Sequence, residues 1–328
     1  MTTLRLFMSP YIFDMKSKAL FAQFSRHIYR SYRYGSVARI RIGHSLLKHI
    51  LEKFIDPNQE ITLRNGLRLH LDLTKNNQDT IFWLDGDVEP QLTWAICNLL
   101  PIGGNFIDCG ANCGLMGLLA YAYRNARVTF IEPHPRLAET IRRNIMLNNC
   151  QSTCTLMECA ASDSEGEIQF YENLDDDGSH SVHKDWGANI NVIGKVKSIT
   201  LTSLIESKKI TPIDFLKIDT EGNDLAVLHG LTKYLDPNIT KMIYVEMQHD
   251  RETIANLLHD RRFAGFSLIN RPHSETLALL RAASRGERVA YFVPYQNDLH
   301  TNTEVLWCGR DSDFFTFLTR LSREACPA

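Results

Sequence analysis

The sequence predicts an α/β fold, with a mostly parallel sheet covered by helices on both faces. Three observations predict it. From residue 105 onward, short apolar runs alternate with helical segments, as expected of strands buried on both faces. A turn bearing two glycines, Gly110-Ala111-Asn112-Cys113-Gly114, follows the first of these runs and opens an apolar helix. The composition, 44% hydrophobic and 23% charged over 328 residues, supports a sizeable core.

The chain divides into three stretches: a basic helical extension over 1–58, a hairpin and helix over 59–100, and a main domain over 101–322. Residues 1–55 hold ten Lys/Arg against two acids, Asp14 and Glu52, a balance of +8. The rest of a chain whose net charge is −2 therefore carries −10. Such asymmetry marks either an arm that meets an anionic surface or a helix with a solvated basic face. Next, "ITLRNGLRLHLDL" places two alternating runs around Asn65-Gly66, a strong hairpin signal. The helical "EPQLTWAICNLL" then leads to Pro101 and Gly103-Gly104, which punctuate the start of the main domain.

Within that domain the strand-like runs are "NFIDC", "RVTFIE", "TCTLMECAA", "DFLKID" and "KMIYVEM", with "FSLIN" and "TEVLWCG" completing the sheet. "LMGLLAYAYR" and "PRLAETIRRNIMLN" read as helices between them. "NLDDDGSH" matches the first half of a calcium-binding loop through Asn173, Asp175, Asp177 and Gly178. The twelfth position is Lys184 where a bidentate glutamate is needed, so the match fails. Cys150, Cys154 and Cys159 cluster without a CxxC pair or a nearby histidine, and buried thiols are the expectation.

In an open α/β sheet, ligands bind at the carboxyl ends of the strands, beside the first strand-to-helix turn. A dinucleotide turn reads GxGxxG, with its middle glycine against a pyrophosphate. Here that position is Asn112, and the acid Asp108 stands just before the turn, where it repels phosphates. Glu132 ends the second strand run about 20 residues on, where an acid accepts hydrogen bonds from both ribose hydroxyls. Ribose without pyrophosphate, plus a positive group near the first turn, describes S-adenosylmethionine. The alternative role for Asp108 is a helix cap.

"FIDCGANCGLMGLLA", "IEPHPRLAETIRRNIMLN", "AASDSEGE", "FLKIDTEGNDLAVLHGL" and "YVEMQ" resemble successive motifs of the FkbM family of methyltransferases. "IFWLDGDVEPQ" resembles the family's segment upstream of the turn, and the likeness covers roughly residues 76–310. "KIDTEG" is its most specific part. The resemblance implies a Rossmann-like class I methyltransferase fold, S-adenosylmethionine as donor, and O-methylation of sugars, polyketides or other hydroxylated metabolites. By motif match, Asp108, Gly110, Asn112, Gly114 and Glu132 line the cofactor site, and Ala160 to Asp163 lie by the adenine. Glu89 approaches the methionine end, or else only begins the helix at Pro90.

Methyl transfer needs an acceptor oxygen aligned with the methyl–sulfur bond and a group that takes its proton. Two strand runs end in charge, "KIDTEGND" and "VEMQHD". Lys217, Asp219, Glu221 and Glu246 are therefore expected to face the acceptor. One carboxylate, or a lysine whose pKa is lowered by burial, serves as base; the other reading is an ion-pair network that holds the strands in register. His249 is a further candidate base. Asp219, Glu221 and Asp224 with Glu246 have the chemistry to hold Mg²⁺, but spacing does not require it, and no metal is expected. Trp186, in the Ser/His-rich segment with His180 and His183, either stacks on the acceptor or anchors its loop.

A nicotinamide-dependent oxidoreductase is the alternative enzyme, disfavoured by Asn112. A non-catalytic module docking on an anionic surface through residues 1–55 is the alternative outside catalysis. The expected partner is a small-molecule or glycan acceptor, not nucleic acid. No run spans a bilayer, no secretory core precedes a cleavage site, and the eight irregularly placed cysteines suit reduced thiols, so a cytoplasmic setting is expected.

Overall fold

The structure, a computed structural model, describes residues 21–26, 48–176, 178–268, 292–295 and 303–323. Most of the basic extension lies outside the described residues, as does Asp177. The chain forms two compact units, Met1–Val88 and Glu89–Ala328. The division falls earlier than the expected boundary at residue 100, because the helix over 90–99 packs within the larger unit.

In the smaller unit, β1 (Asn58–Thr62) and β2 (Arg68–Asp72) pair antiparallel, with Ile61 opposite Leu69. The expected Asn65-Gly66 turn joins them. Asn65 Oδ1 accepts from the Leu67 amide at 3.1 Å, and Gly66 takes a φ of 86° that a side chain would resist. Leu69 and Leu71 are buried, as are Ile81, Phe82 and Trp83 of α1 (Asn76–Leu84). Two cations of the basic extension are engaged inside this unit: Arg26 pairs with Asp85 and lies over Phe82, and Lys48 pairs with Asp79.

The larger unit begins with α2 (Pro90–Leu99), which packs on α3 (Leu115–Arg124). Its sheet is built from β3 (Asn105–Cys109), β4 (Arg127–Ile131), β5 (Cys154–Met157), β9 (Phe215–Ile218), β10 (Met242–Glu246), β11 (Phe263–Leu268), β12 (Phe292–Pro294) and β13 (Glu304–Gly309). The spatial order is β12-β11-β13-β10-β9-β3-β4-β5. Neighbours from β10 to β5 run parallel, and β13 inserts antiparallel between β10 and β11. The "mostly parallel" expectation therefore holds, with reversal confined to the β13 side. The order reverses at β3, whose chain continues to β4 on one side while β9 flanks the other. That is the switch point where such sheets bind ligands.

The strands bury both faces. Ile107, Cys109, Leu216, Ile218, Ile243 and Val245 share one core with residues of α5 (Leu201–Lys208), α6 (Asp224–Gly230) and α7 (Arg251–Asp260). Period-two alternation turns Asp108, Lys217 and Tyr244 to the opposite face, side by side by register on β3, β9 and β10. α4 (Pro135–Leu147) packs on β5, and α8 (Asp313–Arg323) on β12 and β13.

One element was not foreseen. The run "TCTLMECAA" splits: β5 stays in the main sheet, while β6 (Ala160–Ala161) joins a second sheet of order β6-β8-β7 with β7 (Gly166–Asn173) and β8 (Ile190–Ile199). β7 and β8 are a long antiparallel pair, and the segment joining them returns over the carboxyl ends of the main strands.

Candidate active site

The turn after β3 is shaped by contacts behind it. Gly110 has a φ of 72°, and a Cβ there would lie 1.8 Å from the Asp219 carbonyl oxygen, so the two strand ends approach closely only with glycine. Asn112 also takes a left-handed φ of 52°. Its amide donates to Glu132 Oε2 at 2.8 Å, while the His134 amide donates to Glu132 Oε1 at 2.9 Å. Each carboxylate oxygen thus has one backbone partner and one remaining lone pair. Burial pushes the Glu132 carboxyl up to about 7, against the two backbone donors that favour its ionised form. Gly114 precedes α3 with a φ of 84°, and Asn144 of α4 donates to the Cys113 carbonyl at 3.1 Å, tying the turn down.

Asp108 is fully enclosed. Its Oδ2 accepts from the Gly117 amide at 2.9 Å, and its Oδ1 lies 3.6 Å from Lys217 Nζ. The structure thus gives it the capping role at α3, where Gly114 has no side chain with which to cap. Lys217 Nζ also reaches Asp219 Oδ2 at 3.0 Å and donates to the Gly110 carbonyl at 3.1 Å. Burial alone would lower the Lys217 pKa, but Asp219, Asp108 and Glu89 outweigh it and hold the ammonium well above its ordinary value. Against the expectation of a lysine base with a lowered pKa, Lys217 is a paired cation whose contacts join β3 to β9.

Beyond Lys217 the site turns acidic. Glu246, at the end of β10, stands opposite Glu304 across the antiparallel β13 pair. Asp219, Glu221 and Glu246 bring carboxylate oxygens within 4.8 Å of one another. Burial and the neighbouring Asp219 push Glu246 up to about 10, so it is protonated at neutral pH and hydrogen-bonds Asp219, which is correspondingly held ionised. Glu89 sits at the N-cap of α2 but makes no side-chain cap bond. Burial raises it to about 8, and it feels Lys217, Asp219, Glu304 and Asp108. Glu304 is raised to about 6 and accepts from Tyr244. Asp224 closes the turn after β9, accepting from the Thr220 amide and hydroxyl at 2.9 and 2.8 Å.

The segment between β7 and β8 crosses this region. Ser181 exchanges backbone hydrogen bonds with Tyr171 and donates its hydroxyl to the Glu221 carbonyl at 2.6 Å. Trp186 Nε1 donates to Glu221 Oε2 at 2.7 Å; its ring lies against Gly222 and 4.6 Å from the His249 ring. His249 itself is exposed on the rim. Further back, His134 and His180 stack at 4.5 Å beside Glu172. This trio lies close enough to suggest a metal site. Both Nδ1 atoms accept backbone amides, from Arg136 and Asn173, which places the ring protons on Nε2 and makes the pair donors rather than ligands.

The structure therefore brings Glu89, Lys217, Asp219, Glu221 and Glu246 together, and joins Gly110, Asn112 and Glu132 into a second group around the turn. Ala160 is buried in β6. Asp163 is exposed, its carboxylate accepting from Ser164 Oγ at 2.9 Å. Sequence reasoning missed Glu304 and Tyr244, whose place in the site depends on the antiparallel return of β13. The only local hint was an acid leading the apolar run "EVLWCG".

Could the turn hold S-adenosylmethionine? The groups meeting at it are carboxylates, and Glu132 offers two free lone pairs to a vicinal diol, so a ribose bearing a cationic sulfur fits and a pyrophosphate does not. This sheet, glycine turn and second-strand acid define a class I methyltransferase fold. The FkbM methyltransferase domain matches residues 108–285, and the chain belongs to that family. It is 26% identical to the methyltransferase sdnD of Sordaria araneosa over 40% of this chain, and 24% identical to the hexuronic acid methyltransferase AglP of Haloferax volcanii over 48% of it. The match spans 62% of the length of each of these curated relatives. A solved S-adenosylmethionine-dependent methyltransferase from Agrobacterium tumefaciens superposes with a TM-score of 0.40 at 9% identity, over 77% of this chain and 70% of that one. Among the described residues, no helix is long and apolar enough to cross a membrane.

Proposed function

We propose that this protein transfers a methyl group from S-adenosylmethionine to a hydroxyl of a sugar, a glycan or a hydroxylated small metabolite. The observation that carries the donor is Glu132, fixed through both oxygens by the backbone of the glycine turn yet able to accept two further hydrogen bonds. Gly110 and Asn112 hold the adjacent backbone, Asp219 provides negative charge for the ammonium and sulfonium, and Glu89 adds to it as it loses its proton. Bound there, the donor supplies an electrophilic methyl group. The carboxylates at the ends of β9, β10 and β13 then orient the acceptor and take its proton. The sugar acceptor is supported by the relative whose name specifies hexuronic acid.

The test is calorimetry with S-adenosylmethionine, followed by labelled methyl transfer into carbohydrate and small-metabolite extracts and identification of the labelled product. Saturable donor binding with an O-methylated product is expected. Thermal stabilisation by NAD(P) without any by S-adenosylmethionine would reverse the assignment in favour of an oxidoreductase.

A further inference from the structure

Five carboxylates surround the proposed acceptor position, and their partners separate them. Asp219 is bound to Lys217 and hydrogen-bonded to Glu246. Glu246 carries a proton and has none to accept at neutral pH. Glu304 is engaged by Tyr244, and Glu89 stands at the start of α2 with neither a cap bond nor a side-chain donor directed at it. Glu221 differs from all of them. It sits in the turn after β9 with a left-handed φ of 52°, followed by Gly222 at 94°. A glutamate in this conformation is strained, and such strain persists only where surrounding contacts hold it. Those contacts come from the β7–β8 segment: Ser181 Oγ on its carbonyl, Trp186 Nε1 on Oε2, and the Trp186 ring on the face of Gly222. One carboxylate oxygen is fixed by the indole, and Oε1 is left to accept from a ligand.

Resting on the methyl-transfer reading above, we propose that Glu221 is the group that takes the acceptor's proton, and that Trp186 is the positioning residue that fixes one oxygen of its carboxylate and aims the other. As the new carbon–oxygen bond forms and the methyl–sulfur bond breaks, the hydroxyl proton moves to Glu221 and then to solvent. The products are the methyl ether and the neutral thioether. The charged and titratable groups facing Glu221 are Asp219, Asp224, Asp176 and Glu246, with Lys217 acting through Asp219; His249 and His183 face Trp186. Burial and then Asp219 raise the Glu221 carboxyl to about 8, while the Trp186 donor opposes them. A base that titrates near neutrality combines a usable ionised fraction with driving force for proton uptake.

The indole itself reports the state of this pair. The other described tryptophans, Trp83, Trp94 and Trp307, are buried. Tryptophan emission of the intact protein is followed from pH 6 to 10 in a His249→Gln background, which removes the second ring on Trp186. An inflection near pH 8 is expected, absent from both Glu221→Gln and Trp186→Phe, two near-isosteric changes that keep the packing. Survival of the inflection in Glu221→Gln, or its absence from the parent, overturns the proposal. Calorimetry with S-adenosylmethionine on the same parent sample keeps the two readings apart: no donor binding defeats the proposed function, whereas donor binding beside an inflection that survives Glu221→Gln defeats only the role of Glu221. With an acceptor identified, Glu221→Gln is expected to lower kcat at least about 100-fold, the scale of a lost general base. Trp186→Phe is expected to displace the acid limb of the kcat profile toward higher pH, a shift that a purely structural tryptophan would not produce.

Discussion

The β3–β4 side of the site and the β9–β10–β13 side are both built on carboxylates, yet they are held in opposite ways. Glu132 is fixed by two main-chain amides, from residues 20 positions before it and two after it. Asp219, Glu221, Glu246 and Glu304 are fixed by one another and by the side chains of Lys217, Tyr244 and Trp186. Backbone donors give a rigid, preorganised acid. Mutual side-chain contacts give a group whose charge state responds to its neighbours. The first arrangement suits a ligand that never changes, and the second suits chemistry in which a proton must move.

The largest effect should come from breaking the link between the two sides. Lys217→Met leaves Asp108 buried without its cation and should cost about 3–5 kcal/mol of stability, measured by denaturant unfolding. Unaltered stability would mean that Asp108 is buried neutral, and that the ion pair does not join the halves. Gly110→Ala should follow, at about 3 kcal/mol, because its Cβ meets backbone rather than a movable side chain and its φ is left-handed. Donor binding should be lost with it.

Glu132→Ala should weaken S-adenosylmethionine binding at least about 100-fold, the scale of two hydrogen bonds to a charged acceptor, and should also lower Tm because the Asn112 and His134 amides lose their acceptor. A lowered Tm with donor affinity unchanged would show that the carboxylate serves the turn rather than a ligand.

A last effect is a drift with pH. Glu89, Glu221, Glu246 and Glu304 all have folded pKa values above the ordinary 4.5. The folded protein therefore holds protons that the unfolded chain has already lost, and stability falls as pH rises from about 4.5 through the folded values of about 6 to 10. Tm of the ligand-free protein should decline between pH 6 and 9. Stabilisation by the cationic donor should grow over the same interval. A flat Tm across that range would show that burial and neighbouring carboxylates do not raise the four acids as placed.

The same contrast explains what could be read without coordinates. The turn, Asn112 and Glu132 interact over 20 residues through regular strand–turn–helix geometry, so their spacing alone pointed to the proposed ribose site. That most of the sheet is parallel followed from the alternation of strands and helices, whereas the strand order did not. Asp108 was legible only as an ambiguity, because a cap and a ligand contact both place an acid at the end of a strand; the structure adds its bond to the Gly117 amide. Lys217 was read either as a base or as part of an ion-pair network, and its partners beyond Asp219, and so the direction of its shift, depend on two other segments, those of Asp108 and Glu89. β7 and β8 carry alternation too weak to stand out, since their burial is partial along most of their length. Glu304 and the Trp186–Glu221 bond join residues 58 and 35 positions from their partners, beyond any local pattern.

The segment between β7 and β8 enters and leaves through one antiparallel pair, with Leu174 and Asn189 bonded at its mouth. Lengthening a loop closed in this way costs little, about 0.6 kcal/mol for each doubling. Insertions there that spare His180, Ser181 and Trp186 are thus cheap for folding. Under the proposed function, descendants of such a chain can trade one acceptor for another by editing a single surface loop while inheriting the donor site.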